Sequence, residues 1–223
     1  MNASARRVVT RSPARTVMLV NLPALLPHPV EAESSYERDF IRLAALYVGT
    51  RAIAHQPFRL SLAAGNYTPD FLVTFADGSK VVVEVKPQAK VEQHQQLFAE
   101  AADTLAERGL SFLVATEREL RRERVNDRAR LLLRYAKGQP APSDLERVLQ
   151  MFVEQPTGLP LGTLTKRARV TRETIFHLIA HRHLTTGRRL LLDDAVVVKT
   201  TTQTKETTNA VQFAIWIGAA LWS

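Results

Sequence analysis

Residues 67–87 read YTPDFLVTFADGSKVVVEVKP, and this stretch has the strongest structural signal in the chain. Residues 70–75 and 80–85 are rich in β-branched and aromatic side chains, which favour β-strands. Between them stand Asp77 and Gly78, a pair typical of the tight turn of a hairpin. The stretch is therefore predicted to form two antiparallel strands joined by a short turn.

Three charged residues are predicted to meet at one end of this hairpin. Side chains alternate between the two faces of a strand, so Glu84 and Lys86 point to the same side. Antiparallel pairing brings Asp70, at the start of the first strand, alongside them. Two carboxylates beside a lysine suit a hard divalent cation and a proton-handling amine. A hairpin with an ordinary salt bridge would show the same residues, so these three alone leave both interpretations open.

The complete stretch favours the divalent-cation site over the ordinary salt bridge, because it resembles a known nuclease motif. A Pro-Asp pair, a strand, a turn and a second strand ending in Glu-Val-Lys resemble the signature of PD-(D/E)xK nucleases. With the leading Tyr-Thr and the trailing Pro, the stretch resembles in particular the TnsA-type transposition endonucleases among these nucleases. Some members of that family carry Gln at the position of Glu84. The resemblance implies that Asp70, Glu84 and Lys86 are catalytic. It also implies that Asp70, Glu84 and the Val85 carbonyl hold a metal ion.

The resemblance extends to a helix that precedes the hairpin. Residues 31–48 carry an apolar stripe at helical spacing, and Ser34 or Ser35 can cap the helix. In the family, a glutamate of the first helix completes the metal site. Glu37 matches this position and is the expected fourth catalytic residue and metal ligand, and Glu33 is the alternative. Glutamates at this spacing are also common on the solvent face of a helix.

The elements after the hairpin complete the predicted fold. A strand is expected at residues 51–62 before the hairpin, a helix at 91–108 and a buried strand at 110–115 after it. A further helix is expected at 117–135. The order predicts an α/β fold, with a restriction-endonuclease-like αβββαβ core around a mixed sheet. A smaller winged helix-turn-helix domain is expected to follow this core.

Four segments are predicted along the chain, and a linker rich in Gly and Pro at residues 137–142 separates the two folded ones. They are a basic arm (1–30), a nuclease domain (31–136), a winged-helix domain (143–199), and a polar spacer with an apolar tail (200–223). The tail is expected either to pack on the body of the protein or to dock into a partner.

The winged-helix prediction rests on three short helical patterns followed by a hairpin at residues 188–198. Basic side chains that are expected to contact DNA lie on or near the recognition helix and the wing: Arg167, Arg169, Arg172, His177, Arg182, Arg188 and Arg189. Winged helices also serve as protein-docking modules, and both uses stay open. The neighbouring histidines lack the carboxylate partner that a zinc site would need.

Composition limits the classes of function. The net charge of +8 and the pI of about 10.2 favour a polyanionic partner such as DNA. The chain has no cysteine, which excludes a disulfide framework and fits a cytoplasmic location. The resemblance implies a bacterial protein that is associated with the nucleoid when active. The apolar tail is shorter than the roughly 20 residues that a membrane span needs, so no membrane partner is expected.

By resemblance, the chain is expected to be a DNA endonuclease that uses one or two Mg²⁺ ions, with Mn²⁺ as a substitute. It would cut the 5′ ends of a transposon, in duplex DNA, during cut-and-paste movement. The implied partners are a DDE-type transposase (TnsB-like) and an AAA+ ATPase regulator (TnsC-like), reached through the C-terminal domain or tail. Two alternatives are a stand-alone restriction or defence nuclease and an inactive winged-helix assembly factor. The intact Glu37, Asp70, Glu84 and Lys86 set argues against the inactive factor.

Overall fold

The computed structural model describes residues 17–201 and 209–222. These residues form two compact units, one of residues 17–122 with 209–222 and the other of residues 123–201. The division falls earlier in the chain than the linker at 137–142 that the sequence favours. The arginines of the predicted N-terminal arm, at positions 6, 7, 11 and 15, and most of the polar spacer lie outside the described residues.

The first unit contains both helices and strands. Its elements up to residue 122 are β1 (Met18–Val20), β2 (Val30–Ala32), α1 (Ser35–Leu46), β3 (Thr50–His55), β4 (Leu60–Leu62), β5 (Gly65–Tyr67), β6 (Phe71–Phe75), β7 (Lys80–Val85), α2 (Gln88–Val91), α3 (Gln95–Ala106), β8 (Ser111–Ala115) and α4 (Glu117–Arg121). The chain then forms α5 (Val125–Tyr135), α6 (Pro142–Glu154), β9 (Leu159–Pro160), α7 (Leu161–Ala168), α8 (Arg172–Ala180), β10 (Leu184–Thr185) and β11 (Val197–Thr200). It ends with α9 (Asn209–Ile217) and β12 (Leu221–Trp222).

A five-stranded sheet in the order β12-β8-β7-β6-β3 is the centre of the first unit. Strands β7 and β8 are parallel, and the other neighbours are antiparallel. The order α1, β3, β6, β7, α3, β8 follows the predicted αβββαβ pattern. The α/β class and the mixed sheet are therefore confirmed, and the architecture is compatible with a nuclease core.

Both faces of this sheet are buried under helices. Phe40 of α1 stacks on Phe71 of β6 with ring centroids 5.1 Å apart. On the other face, Phe98 of α3 packs against Phe112 of β8 at 6.0 Å. Because both faces are apolar, the strands read as nearly continuous hydrophobic runs rather than as alternating ones.

Two predicted elements are interrupted in the structure. The strand expected at residues 51–62 breaks after His55, because Gln56 has a φ of +43° and Pro57 cannot donate to a ladder. Its second half becomes β4, which pairs with β5 in a separate hairpin. The helix expected at residues 117–135 breaks where Glu123 and Arg124 have φ values of +44° and +61°.

The apolar tail is part of the first unit. Helix α9 buries Phe213, whose ring lies 5.2 Å from Phe75 and 5.4 Å from Tyr47. Strand β12 pairs with β8 at one edge of the sheet. Arg122 donates to the carbonyl oxygens of Trp216 and Ile217, and so satisfies the carboxyl end of α9. Of the two outcomes expected for the tail, packing on the body is the observed one.

The second unit combines helices α5–α8 with a three-stranded antiparallel sheet in the order β10-β11-β9. The three helices expected after the linker are found as α6, α7 and α8. The hairpin expected at residues 188–198 is wrong in its first strand, since β11 pairs with β10 and β9 instead. Leu190 has a φ of +50° and is buried, so residues 187–190 form a turn that is anchored in the core. The winged-helix assignment stays a prediction.

Within residues 17–201 and 209–222, no helix has the length and hydropathy needed to span a bilayer.

Candidate active site

The β6–β7 hairpin brings the three predicted charged residues together. Phe71 of β6 pairs with Val83 of β7, so Asp70 lies opposite Glu84. The Val85 amide donates to Asp70 Oδ2 over 2.8 Å, and the Asp70 amide is 3.3 Å from Glu84 Oε2. The two carboxylates are therefore tied to each other through the backbone of the two strands.

Glu84 is almost fully buried and is held on both sides. Lys86 Nζ lies 2.6 Å from Glu84 Oε1, which is the predicted carboxylate–ammonium contact. The hydroxyl of Tyr67 donates to Glu84 Oε2 over 2.6 Å. The contact was not predicted from the sequence, in which Tyr67 stands only among the residues that flank the motif. Its position three residues before Asp70, at the end of a strand, was the available signal.

Burial and like charge together set the electrostatics of the site. Burial raises the pKa of Asp70 well above its usual range, and the charges of Glu84 and Glu37 act in the same direction. Lys86 and the Val85 amide act against this rise. For Lys86, burial lowers the pKa, but the charges of Glu84, Asp70 and Glu37 outweigh it and the pKa is raised. The site therefore disfavours the charged form of Asp70 and favours the charged form of Lys86, which keeps its proton.

Glu37 lies in the first turn of α1 and takes part in capping this helix. Ser34 Oγ accepts from the Glu37 amide over 3.1 Å, and Glu37 Oε2 accepts from the Glu33 amide over 2.8 Å. This arrangement resembles a capping box. Burial raises the pKa of Glu37, while its hydrogen bonds and the charge of Lys86 lower it. Glu37 thus interacts electrostatically with Lys86 at the end of the hairpin, although its Oε2 already accepts a hydrogen bond at the start of α1.

Glu33, the alternative to Glu37, contacts a different part of the hairpin's surroundings. Its Oε1 accepts from Gln56 Nε2 over 3.0 Å. The Gln56 amide in turn donates to the Asp70 carbonyl over 2.8 Å. Gln56 therefore links the start of α1 to the start of β6, and its positive φ is held by these two contacts.

His55 is a further buried group beside Glu37 that sequence analysis missed. Its Nε2 lies 3.9 Å from Glu37 Oε2, and its Nδ1 lies 3.8 Å from Glu31 Oε2. Neither distance is short enough for a direct hydrogen bond. Burial lowers the pKa of His55, which the charge of Glu33 partly offsets. The imidazole fills the space between two carboxylates at the end of β3.

The oxygen donors present suit a hard cation. Within the described residues, no three His, Asp or Glu side chains converge into a ready-made metal cage. Glu84, which is buried, and Asp70, which is half-buried, nevertheless form an adjacent pair of carboxyl groups. Mg²⁺ is typically held by one or two carboxylates, with waters and substrate phosphates as the remaining ligands. The pair therefore fits Mg²⁺ better than it fits an ion that needs a complete protein shell.

The predicted DNA-contact residues lie in the second unit, and several have partners there. Arg167 pairs with Glu154 at 3.4 Å, Arg172 with Asp194 at 3.0 Å, and Arg189 Nε donates to Glu123 over 2.7 Å. Arg169 and Arg188 are exposed, and Arg182 is half-buried.

The expected recognition helix α8 is mostly buried. Its Thr174, Ile175 and Phe176 lie in the core, as do residues 178–180. His177 Nδ1 lies 3.2 Å from the Tyr135 carbonyl at the end of α5. Most side chains of α8 are therefore engaged within the unit.

The geometry of the hairpin agrees with one family comparison. Residues 49–117 match the family model described as TnsA-like endonuclease N terminal. The matched segment runs from just before β3 to the first residue of α4 and contains Asp70, Glu84 and Lys86. A comparison with curated protein sequences found no match. The resemblance drawn from the hairpin is confirmed for this segment.

Proposed function

We propose that this protein is a Mg²⁺-dependent DNA endonuclease of a transposition machinery, because residues 49–117 match the model of TnsA-like endonuclease N-terminal domains. One observation carries the proposal. Within the matched segment, Glu84 lies 3.3 Å from the Asp70 amide and 2.6 Å from Lys86 Nζ. Two carboxylates and an ammonium at these distances are the groups that hydrolysis of a phosphodiester needs.

Each group has a part in the proposed reaction. Asp70 and Glu84 would hold one or two Mg²⁺ ions, with the Val85 carbonyl and Glu37 as further ligands. Bound Mg²⁺ lowers the pKa of a water molecule and neutralises charge on the phosphate. Lys86 keeps its proton between the carboxylates, so it orients the attacking water and stabilises the negative charge that develops on the phosphate oxygens.

The biological step that we propose is cleavage of the 5′ ends of a transposon in duplex DNA. A DDE-type transposase (TnsB-like) would cut the other strand, and an AAA+ ATPase (TnsC-like) would couple both cuts to the target. The net charge of +8 supports binding to a polyanion. The exposed Arg169 of the second unit would contact phosphates.

The test compares the full chain with Asp70→Asn, which keeps an acceptor for the Val85 amide and removes the charge. We expect wild type to bind Mg²⁺ by calorimetry and to cut transposon-end duplex at the 5′ ends when the transposase and ATPase are present. Asp70→Asn should lose both properties. Its free energy of unfolding should equal or exceed that of wild type, because burial and like charge disfavour the Asp70 carboxylate.

The matched control is Asp77→Asn, the same change at an exposed position in the turn of the hairpin. It should bind Mg²⁺ and cut as wild type does. Equal Mg²⁺ binding by wild type and Asp70→Asn would reject the proposed site. Cutting of unrelated DNA by the isolated chain would instead favour a restriction or defence nuclease.

A further inference from the structure

The hydroxyl of Tyr67 is a contact of the site to which the proposed mechanism gives no role. It donates to Glu84 Oε2 over 2.6 Å. Tyr67 ends β5, which pairs with β4 and is not a strand of the five-stranded sheet. A side chain from a separate hairpin therefore reaches one of the two proposed metal-binding carboxylates.

The position of the Tyr67 ring is set by the hydrophobic core. The ring is 8% exposed and belongs to the cluster that α3 forms with the sheet, together with Leu60, Leu72, Val82 and Phe98. Side chains in such a core keep one packing arrangement. The hydroxyl is therefore held in place independently of the charged residues around it, and it can act as a fixed point for Glu84.

Tyr67 differs from the other side-chain partner of Glu84 in its charge. Lys86 brings a positive charge to Oε1, whereas Tyr67 brings a neutral donor to Oε2. A neutral donor orients a carboxylate without competing with a cation for its charge.

We propose that Tyr67 is a positioning residue of the nuclease site. Its hydroxyl fixes the Glu84 carboxylate in the orientation in which it binds a divalent cation next to Asp70. This inference rests on the proposed function, because it assigns Glu84 to a metal ion. Groups that hydrogen-bond to a metal-ligating carboxylate typically change metal affinity about 10–100-fold when they are removed.

The test is Tyr67→Phe in the full chain, which removes the hydroxyl and keeps the ring. We expect the Kd for Mg²⁺, measured by calorimetry, to rise about 10-fold or more. The Mg²⁺ concentration that gives half-maximal cleavage should rise by a similar factor, while the KM for DNA stays unchanged. An unchanged Kd for Mg²⁺ would overturn the inference.

The matched control is Tyr47→Phe. Tyr47 is buried in the same unit, and its hydroxyl lies 3.1 Å from Asn209 Oδ1, so the substitution removes the same group from a contact outside the site. It should leave Mg²⁺ binding unchanged. A loss of affinity in Tyr47→Phe equal to that in Tyr67→Phe would show a general effect of lost stability and would overturn the positioning role.

A double-mutant cycle shows whether Tyr67 acts through Glu84. If it does, Tyr67→Phe in a Glu84→Ala background should change the Kd for Mg²⁺ by less than about 2-fold, because no side-chain oxygen remains at position 84 for the hydroxyl to orient. An undiminished effect in this background would mean that Tyr67 acts by another route, and the inference would fail.

The response of Tyr67 to Mg²⁺ can also be measured by NMR without a substitution at position 67. The chain has four tyrosines, which can be replaced biosynthetically by 3-fluorotyrosine and followed by ¹⁹F NMR. Removing Tyr36, Tyr47 and Tyr135 one at a time assigns their signals, and the remaining signal belongs to Tyr67. This signal should shift with the same midpoint as Mg²⁺ binding. A Tyr67 signal that stays unchanged at saturating Mg²⁺ would contradict the inference.

Failure of the inference and failure of the proposed function give different results. If Asp70→Asn abolishes Mg²⁺ binding and Tyr67→Phe does not weaken it, the nuclease site stands and the role of Tyr67 is wrong. If Asp70→Asn binds Mg²⁺ as wild type does, the proposed function and the inference both fail.

Discussion

Glu37 is the residue with the most ambiguous role in the candidate site. Its amide and its Oε2 both take part in capping α1 through Ser34 and Glu33. Its charge also acts on Asp70 and on Lys86, which places it near the hairpin end. A glutamate at this position is suited both to capping the helix and to binding a metal ion, so the residue type does not distinguish the two roles. Stability and metal affinity separate the two roles.

We expect Glu37→Gln to keep the stability of wild type and to lose Mg²⁺ affinity. The amide oxygen of Gln can still accept from the Glu33 amide, whereas the charge that attracts the cation is gone. Glu37→Ala should lose affinity and also about 1 kcal/mol of unfolding free energy, because the acceptor is removed. Urea unfolding and calorimetry with Mg²⁺ measure the two effects. Full Mg²⁺ affinity in Glu37→Gln would leave Glu37 with a capping role alone.

Helix α9 shows how an element remote in sequence completes the core of the first unit. Tyr47 and Asn209, which are 162 residues apart, come within 3.1 Å. Trp216 Nε1 donates to the Leu43 carbonyl of α1 over 2.9 Å. The helix has one face against α1 and the sheet, while Val211 and Ile215 face outward. The C-terminal segment is therefore part of the first unit itself.

We expect Phe213→Ala to lower the free energy of unfolding of the first unit by about 3–5 kcal/mol, because it empties a fully buried position. Ile215→Ala is the matched control on the same helix, since Ile215 is 54% exposed. It should change the free energy of unfolding by less than about 0.5 kcal/mol. Urea unfolding followed by tryptophan fluorescence measures both. Equal effects would mean that α9 does not pack as described.

The histidines in and just after α8 make the stability of the second unit depend on pH. Burial lowers the pKa of His177, and the charges of His181 and His183 act in the same direction, while a bond to the Tyr135 carbonyl opposes them. Burial and His181 also lower the pKa of His183. Because the folded unit resists protonation, the unfolded chain binds these protons first. The stabilising contribution is complete above about pH 6.5 and is lost as the pH falls through the folded-state pKa values.

We therefore expect hydrogen exchange in α8 to become faster, after correction for the intrinsic rate, between pH 7 and pH 5. His177→Gln with His183→Gln should make this dependence shallower, since glutamine does not titrate in this range. Exchange in β6 and β7 serves as the internal reference. An equally steep dependence in the double variant would exclude these histidines as the cause.

The charge of the whole protein bears on DNA binding. At +8, the chain should bind duplex DNA with an affinity that falls as salt rises, because each phosphate contact releases a counterion. Arg169 is exposed and has a φ of +52°, which Asn tolerates. Arg169→Asn therefore removes a charge without adding backbone strain.

We expect Arg169→Asn to reduce the slope of log K against log salt by about 1, the value for one lost phosphate contact. Arg130→Asn is the control, because Arg130 is an exposed arginine of the same unit outside the predicted DNA contacts. Fluorescence anisotropy with a labelled duplex at several salt concentrations measures the slope. Equal slopes for wild type and Arg169→Asn would remove Arg169 from the proposed interface.

The local pattern of the sequence was enough to predict the hairpin and the meeting of Asp70, Glu84 and Lys86. Alternation along a strand and the chemistry of an Asp-Gly turn act over a few residues, so they can be read without knowledge of the rest of the chain. The order of the α/β core followed from the same kind of signal. The apolar runs of β6, β7 and β8 are buried on both faces and appear in the sequence as such.

The remaining features depend on contacts between distant residues. The breaks at Gln56 and Glu123 occur at residues whose type does not require a positive φ, so no local pattern marks them. The position at which α9 packs depends on an apolar surface that α1 and the sheet form together. The hydrogen bond from Tyr67 to Glu84 joins two hairpins that become neighbours only when the core closes over the tyrosine ring. Folding therefore decides how the site's carboxylates are held, because the groups that hold them come from separate elements.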